Sequence, residues 1–315
     1  MSKTFVNPLL VHGADPWMYK HVDGTYYFMV TRRNRLDLWR SDNITNIANG
    51  DKKTIWIPEE TGINSNNLWA PEIHYINKKW YVYYTANDGG GDSTRKIFVL
   101  ENEEDDPFEG TWTDKGFINT EYAGLDGTVF EHMGRLFFLY AGYGHFPEYG
   151  SAIYMAKMIN PWTIEGENVL LSAPTDAWEM QGGMAINEGP VILKNNGKIF
   201  LVFSASTCWS DDYSLGLLTC SEQDDLMNPK SWIKTESPVF QKSLENEVFG
   251  PGHNSFVKSP DGKEDWIIYH AISVSGAGSA HRSTRAQKFG WDEQGKPDFG
   301  IPVPIDQPID VPSGE

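Results

Sequence analysis

The segments Thr25-Tyr26-Tyr27-Phe28-Met29-Val30, Trp80-Tyr81-Val82-Tyr83-Tyr84-Thr85, Arg135-Leu136-Phe137-Phe138-Leu139-Tyr140, Lys198-Ile199-Phe200-Leu201-Val202-Phe203 and Asp265-Trp266-Ile267-Ile268-Tyr269-His270 are one motif written five times. Each is an aromatic, apolar run of strand length. Each follows a turn: Asp23-Gly24, Asn77-Lys78, Met133-Gly134, Asn196-Gly197 and Asp261-Gly262. Asn-Gly and Asp-Gly between apolar runs signal hairpins, because these residues accept the positive φ of a tight turn. The runs begin at positions 25, 80, 135, 198 and 265, intervals of 55 to 67 residues. Periods of that size point to propellers or other repeat arrays.

More of the repeat lines up around these runs. A third strand is expected in every unit, at Leu36–Arg40, Lys96–Leu100, Ala152–Ala156, Ser214–Leu218 and Thr284–Phe289. In three units a segment with Pro and Trp then introduces a fourth: Asp106-Pro107 to Trp112, Asn160-Pro161-Trp162, and Asn228-Pro229 to Trp232. The first unit offers only Trp56 and Pro58. Five units of four strands predict an all-β, five-bladed β-propeller with antiparallel blades around a central funnel, in which only short sheet edges stay exposed. Residues 1–315 read as one domain, and the repeat argues against a β-sandwich followed by a second small domain. The acidic run Glu101–Asp106 reads as a solvated loop.

Composition bounds the function. The 315 residues carry a formal net charge of −17, which repels phosphate backbones and anionic lipid. Nucleic acid and membranes are therefore poor partners, whereas a neutral sugar is not repelled. No run approaches the roughly 20 apolar residues of a membrane span. The start lacks the apolar stretch of a secretory signal, which makes cytoplasm the expected location unless a leader has been removed. Cys208 and Cys220 are the only cysteines, and they suggest no disulfide framework.

The segment that opens three of the repeats carries a lone acid. Asp15, Asp126 and Glu188 lie 10, 9 and 10 residues before their aromatic strands. The five heads are Ala14-Asp15-Pro16, Trp69-Ala70-Pro71-Glu72, Leu125-Asp126-Gly127, Asn187-Glu188-Gly189-Pro190 and Gly252-His253-Asn254. In a propeller the innermost strands run the same way along the axis, so residues at equal phase converge on the funnel. Turn chemistry explains each acid singly but does not require three in register. Like charges held together cannot all stay ionised, and the split in their pKa values supplies the acid and the base for glycosidic hydrolysis. Trp17 and Trp69 offer apolar faces for a sugar ring. The residues alone leave open which acid takes which role, and whether the acids line a cation site instead. A sugar-binding lectin would repeat its binding residues in every blade; these heads differ.

At these motifs the chain resembles glycoside hydrolase family 43, the five-bladed propeller glycosidases. The matching stretches are Gly13-Ala14-Asp15-Pro16-Trp17, Leu68-Trp69-Ala70-Pro71-Glu72, Leu125-Asp126-Gly127-Thr128, Asn187-Glu188-Gly189-Pro190, Gly250-Pro251-Gly252-His253-Asn254-Ser255 and His281-Arg282-Ser283-Thr284-Arg285. The resemblance implies an inverting mechanism with Asp15 as general base, Glu188 as general acid, and Asp126 orienting Glu188 and tuning its pKa. It implies that His253 reaches the funnel floor, where such enzymes often hold a hydrated cation, commonly Ca²⁺, and that Arg282 stands beside the substrate and the acid, with Arg285 as the neighbouring alternative in the motif.

The stretches 66–74 and 248–256 look most like exo-acting α-L-arabinofuranosidases, which implies an arabino-oligosaccharide or related pentose-containing substrate. β-D-Xylosidase and endo-arabinanase are the alternatives within the fold. Rim segments are expected at 87–94, 142–149, 176–183 and 207–213, with Trp178, Trp209 and Tyr213 as leaving-side contacts.

Overall fold

The computed structural model describes residues 3–315. They form five four-stranded antiparallel sheets, each built from consecutive strands. Blade 1 is Trp17–Lys20, Tyr26–Met29, Leu36–Ser41 and Asp51–Trp56; blade 2 is Asn66–Ile76, Lys79–Asn87, Lys96–Asn102 and Thr113–Phe117. Blade 3 is Gly124–His132, Arg135–Gly142, Ala152–Asn160 and Thr163–Ser172. Blade 4 is Asn187–Asn195, Lys198–Ala205, Ser214–Ser221 and Ile233–Lys234; blade 5 is Phe249–Lys258, Asp265–Ile272, Ser283–Trp291 and Pro297–Asp298. The predicted propeller is the fold. Among the described residues the helical segments are 3₁₀ turns, and no helix is long and apolar enough to cross a membrane.

Why the second strand of each blade is apolar along its whole length follows from its neighbours. Successive side chains point to opposite faces of a sheet, and here both faces meet another blade. Tyr26 and Phe28 pack with Trp266 and Ile268 of blade 5, while Tyr27 and Met29 pack with Trp80, Val82 and Tyr84 of blade 2. Tyr81 and Tyr83 turn the other way, onto Phe138 and Tyr140 of blade 3. The same division joins blade 3 to blade 4 and blade 4 to blade 5. The core is thus five inter-blade seams. Three of the hairpin turns have both central residues at positive φ: Asn77 and Lys78, Met133 and Gly134, Asn196 and Gly197. That is the backbone of a two-residue type I′ turn, whose twist matches the strands it joins.

No blade mixes strands from the two ends of the chain, so the ring closes by other means. Leu10 bridges Thr284 of blade 5, and the Asn7 side chain donates to the Ala286 carbonyl while accepting the Ala286 N–H. Thr4–Phe5 pairs with Ile309–Asp310, and the Glu315 carboxylate accepts the Ile44 N–H of blade 1 at 2.6 Å.

One irregularity, repeated in every blade, positions the site. Near its start each innermost strand contains or follows a residue in the left-handed region: Asp15 (φ 55°), Ala70 (42°), Asp126 (55°), Gly189 (54°) and His253 (47°). The ladder slips there, between Trp69 and Glu72, Leu125 and Thr128, Glu188 and Val191, and Gly252 and Ser255. These are β-bulges, which re-aim a side chain at a local cost of about 1–3 kcal/mol where the residue is not glycine. The bulge refines the register expected from sequence. Asp15, Asp126 and His253 share one phase, but its fourth-blade member is Gly189, and Glu188 stands one residue earlier.

Candidate active site

The bulges are held by a ring of hydrogen bonds from each blade to the next. The Ala70 N–H donates to Thr31 Oγ1 at 2.8 Å, Asp126 N–H to Thr85 Oγ1 at 3.0 Å, His253 N–H to Ser204 Oγ at 2.8 Å and Asp15 N–H to His270 Nδ1 at 3.1 Å. The corresponding residue of blade 3 is Ala141, which faces Leu125 in the ladder and has no side-chain acceptor. The Gly189 N–H instead donates to Asp126 Oδ2 at 3.0 Å. The break in the ring supplies a contact to an acid.

Asp15, Asp126, Glu188 and His253 converge on one cavity of about 270 Å³, as their common origin near the heads of the inner strands requires. Trp69, Trp209 and Arg282 also line it. A second, larger cavity lies around the other ends of the inner strands, among Met18, Tyr19, His74, Phe130 and Phe256.

Asp15 is the most heavily partnered of the acids. Its Oδ1 accepts from Arg282 Nη1 at 2.6 Å and its Oδ2 from the Thr31 hydroxyl at 2.6 Å. His270 Nδ1 and His253 Nδ1 lie 3.5 and 3.6 Å from Oδ1. Burial opposes ionisation, yet Arg282 above all, with the Thr31 hydroxyl, holds this carboxyl well below the usual carboxylate range. Glu188 has the opposite environment. Burial pushes it up to about 7, the Asp15 charge adds to the rise, and the Tyr213 hydroxyl and Arg282 oppose it. Asp126 is raised as well, first by burial and then by the charges of Glu188 and Asp15, against the smaller pull of the Gly189 N–H and the Arg95 charge. Asp126 and Glu188 therefore titrate as a pair.

His253 is pushed down by burial and by Arg282, against the pull of Asp15, so its neutral imidazole can act as a ligand. Asp126, Glu188 and His253 each present a ligand atom, all within 4.8 Å of one another, and the group could hold a metal ion.

Two of the expected contacts lie elsewhere. Trp17 belongs to the second cavity, where its Nε1 donates to the Ile73 carbonyl at 2.9 Å and its ring sits 4.8 Å from that of His74. So soon after the bulge, the strand already points its side chain past the floor. Arg285 is fully buried in blade 5 and bonds Ser273 Oγ at 2.8 Å and Ser283 Oγ at 3.3 Å; of the two arginines it is Arg282 that reaches the acids. Of the rim aromatics, Trp209 is 50% exposed, with its Nε1 on the Gly182 carbonyl at 3.2 Å. Trp178 packs against Phe203, and Tyr213 is buried.

Several residues of the site are not marked by any motif. Thr31, Asp92, Tyr143, Met184 and Cys208 line the cavity. Behind Trp69, the Arg95 guanidinium lies 3.7 Å from its ring centroid and pairs with Asp92 at 2.6 Å. His270 and Thr31 do stand at the ends of aromatic strands that the sequence picks out, and their recurrence at the ladder position facing each head was the available signal.

A five-bladed propeller whose funnel brings an ionised Asp and a raised Glu into one pocket has the layout of a carbohydrate-cleaving enzyme. Residues 5–297 match the glycosyl hydrolases family 43 profile, and the chain belongs to that family. An extracellular exo-α-(1→5)-L-arabinofuranosidase of Streptomyces avermitilis is 40% identical over 311 residues, 96% of this chain and 64% of that protein. α-L-Arabinofuranosidase 43 of Humicola insolens is 38% identical over 310 residues, 95% of this chain and 64% of that one. The chain thus spans 64% of the length of these two relatives. The crystal structure of α-L-arabinofuranosidase from Lactobacillus brevis superposes with a TM-score of 0.91 at 37% identity, covering 96% of this chain and 98% of that one.

Proposed function

We propose that this protein is an exo-acting, inverting glycosidase that releases terminal α-L-arabinofuranosyl units from arabinan-type oligosaccharides. The observation that carries the reading is the opposed setting of two carboxyls in one cavity: Asp15 is paired with Arg282 at 2.6 Å and held ionised, while burial raises Glu188 to about 7, so that it keeps its proton in mildly acidic solution. Asp15 is the base and Glu188 the acid. Asp15 takes a proton from water as the water oxygen bonds to the anomeric carbon. The bond to the leaving oxygen breaks, and Glu188 gives that oxygen its proton. Exchange with solvent then restores both groups. Asp126, bonded to the Gly189 N–H beside Glu188, positions the acid. The small cavity and the named activities of the relatives support exo action on an arabinofuranosyl end.

A cation at the floor would be held by His253, and Ca²⁺ is the ion the family resemblance implies. Bound there, it would supply fixed positive charge that favours ionised carboxylates. Direct ligation by Glu188 would strip its proton, so a cation compatible with this reading leaves Glu188 free. Ca²⁺ favours oxygen ligands, and an imidazole partner suits it best through a bound water.

The test is hydrolysis of arabino-oligosaccharide and of aryl α-L-arabinofuranoside, with the first-formed anomer read by NMR. Release of arabinose with inverted configuration supports the reading. Preference for aryl β-D-xylopyranoside, cleavage within arabinan chains, or folded Asp15→Ala and Glu188→Ala variants with wild-type activity would each sink it.

A further inference from the structure

Tyr213 stands outside every head motif, yet among the described residues it makes the one side-chain hydrogen bond to Glu188: its hydroxyl donates to Oε1 at 2.8 Å. We propose that Tyr213 is a positioning residue for the acid, fixing which oxygen of Glu188 carries the transferable proton. The inference rests on the reading of Glu188 as the acid and adds a residue to it.

Two observations hold the phenol in that role. The ring is fully buried and stacked on His270, with centroids 5.4 Å apart and planes 10° from parallel. It also lies against Gly252, where a Cβ would come within 2.4 Å of its ring. With the ring held by His270 and Gly252, the phenolic proton turns to Glu188.

The consequence for Glu188 is chemical. A carboxylic acid accepts best through its carbonyl oxygen and donates through its hydroxyl. With Oε1 engaged as acceptor, the proton resides on Oε2. Without Tyr213 the two oxygens become equivalent choices, and the carboxyl can rotate. A misplaced catalytic group of this kind can cost about 10²-fold in rate. Asp15, Asp126, His253, Arg282, Cys208 and Tyr143 line the cavity beside Glu188. His270, against which the ring stacks, is pushed well below its usual range by burial and stays neutral.

The experiment compares Tyr213→Phe with the unaltered protein on two substrates: a dinitrophenyl α-L-arabinofuranoside, whose leaving group needs no proton, and an arabino-oligosaccharide, whose leaving group does. The expected result is a loss of kcat of about tenfold or more on the oligosaccharide, under about threefold on the activated substrate, with KM nearly unchanged on both. Equal losses on the two substrates, or no loss on either, would overturn the proposal. Tyr213→Met, which fills much of the same space and carries no donor either, should show the same contrast. It gives an independent reading if Tyr213→Phe fails to fold, and equal losses there also count against the proposal. Glu188→Ala separates the two claims. If it shows no leaving-group contrast, the assignment of Glu188 as the acid fails. If it shows the contrast and Tyr213→Phe does not, only the positioning role fails.

Discussion

Arg282 Nη1 lies 2.6 Å from Asp15 Oδ1, and both side chains are about 9% exposed. The pair is the electrostatic hinge of the site, because the same guanidinium favours the ionised forms of both Asp15 and Glu188. Removing it should raise the pKa of both carboxyls. Arg282→Ala is expected to lower kcat/KM by about 100-fold or more at neutral pH, in the range of losing a donor from a preorganised site. Its remaining activity should peak at higher pH than in the unaltered protein. A profile of reduced height at unchanged position would contradict the argument.

The pH profile of the unaltered protein carries its own expectation. Asp15 keeps its charge well below the usual carboxylate range, so the base is competent throughout the mildly acidic region. Glu188 is raised to about 7, so the acid loses its proton as pH rises through that value. Activity should hold a plateau on the acid side and fall about tenfold per unit above about 7. A steady-state kcat/KM profile measures this, and activity still rising at about pH 9 would exclude Glu188 as the group that must be protonated.

Much of the fold was legible in the chain because one physical constraint repeats. A strand buried on both faces must be apolar throughout, and that made the five aromatic runs visible together with their turns. The acids were legible because each stands at the head of a repeat. The one-residue offset of Glu188 was not, since a bulge inserts a residue without a fixed sequence signature, and Glu188-Gly189 reads equally well in either phase. The glycines of Gly250-Pro251-Gly252 were visible as a motif, but their reason was not. Gly252 is small because Tyr213, far away in sequence, lies against it. Trp17 was misplaced for a related reason, and the same rule separates Arg282 from Arg285: along a strand one residue changes the face, and proximity to a motif does not fix direction.

Trp209 tests the rim. It is half-exposed, and one hydrogen bond to the Gly182 carbonyl holds its indole at the cavity edge. Trp209→Ala should raise KM for arabino-oligosaccharide several-fold while leaving hydrolysis of a small aryl arabinofuranoside within about twofold. Thermal unfolding should change little, because an exposed side chain contributes little to the core. A large loss on the aryl substrate would place Trp209 at the cleaved sugar rather than beyond it.

Glu179 anchors the segment that carries Met184 to the cavity. It is fully buried, its Oε2 accepts the Thr175 and Asp176 N–H groups at 2.8 and 2.9 Å, and its Oε1 accepts from Asn187 Nδ2 at 2.9 Å and pairs with Lys234. Glu179→Ala would remove the acceptor of three N–H donors at once and the charged partner of Lys234, which keeps only the Ala173 carbonyl. A cost of about 3–5 kcal/mol is expected, the range for breaking a buried pair. Chemical denaturation measures it, and a loss below about 1 kcal/mol would show that water replaces the carboxylate without penalty.

The missing acceptor at Ala141 gives the sharpest test of how the ring of inter-blade bonds was adapted. Thr31, Thr85, Ser204 and His270 each accept the N–H of the next blade's bulge, and Ala141 alone cannot. The freed Gly189 N–H is what reaches Asp126. Ala141→Ser restores an acceptor at that place and sets it in competition with Asp126. The bulge should keep its hydrogen bond, so unfolding should shift by less than about 1 kcal/mol. Asp126, losing a donor to its charged form, should become harder to ionise and less firmly placed, and kcat/KM should fall about tenfold. Ala141→Gly is the control: it can weaken the strand by roughly 0.5–1 kcal/mol but offers no acceptor, so kcat/KM should stay near that of the unaltered protein. Equal activity in the two variants would mean that the contact between Gly189 and Asp126 is incidental to catalysis.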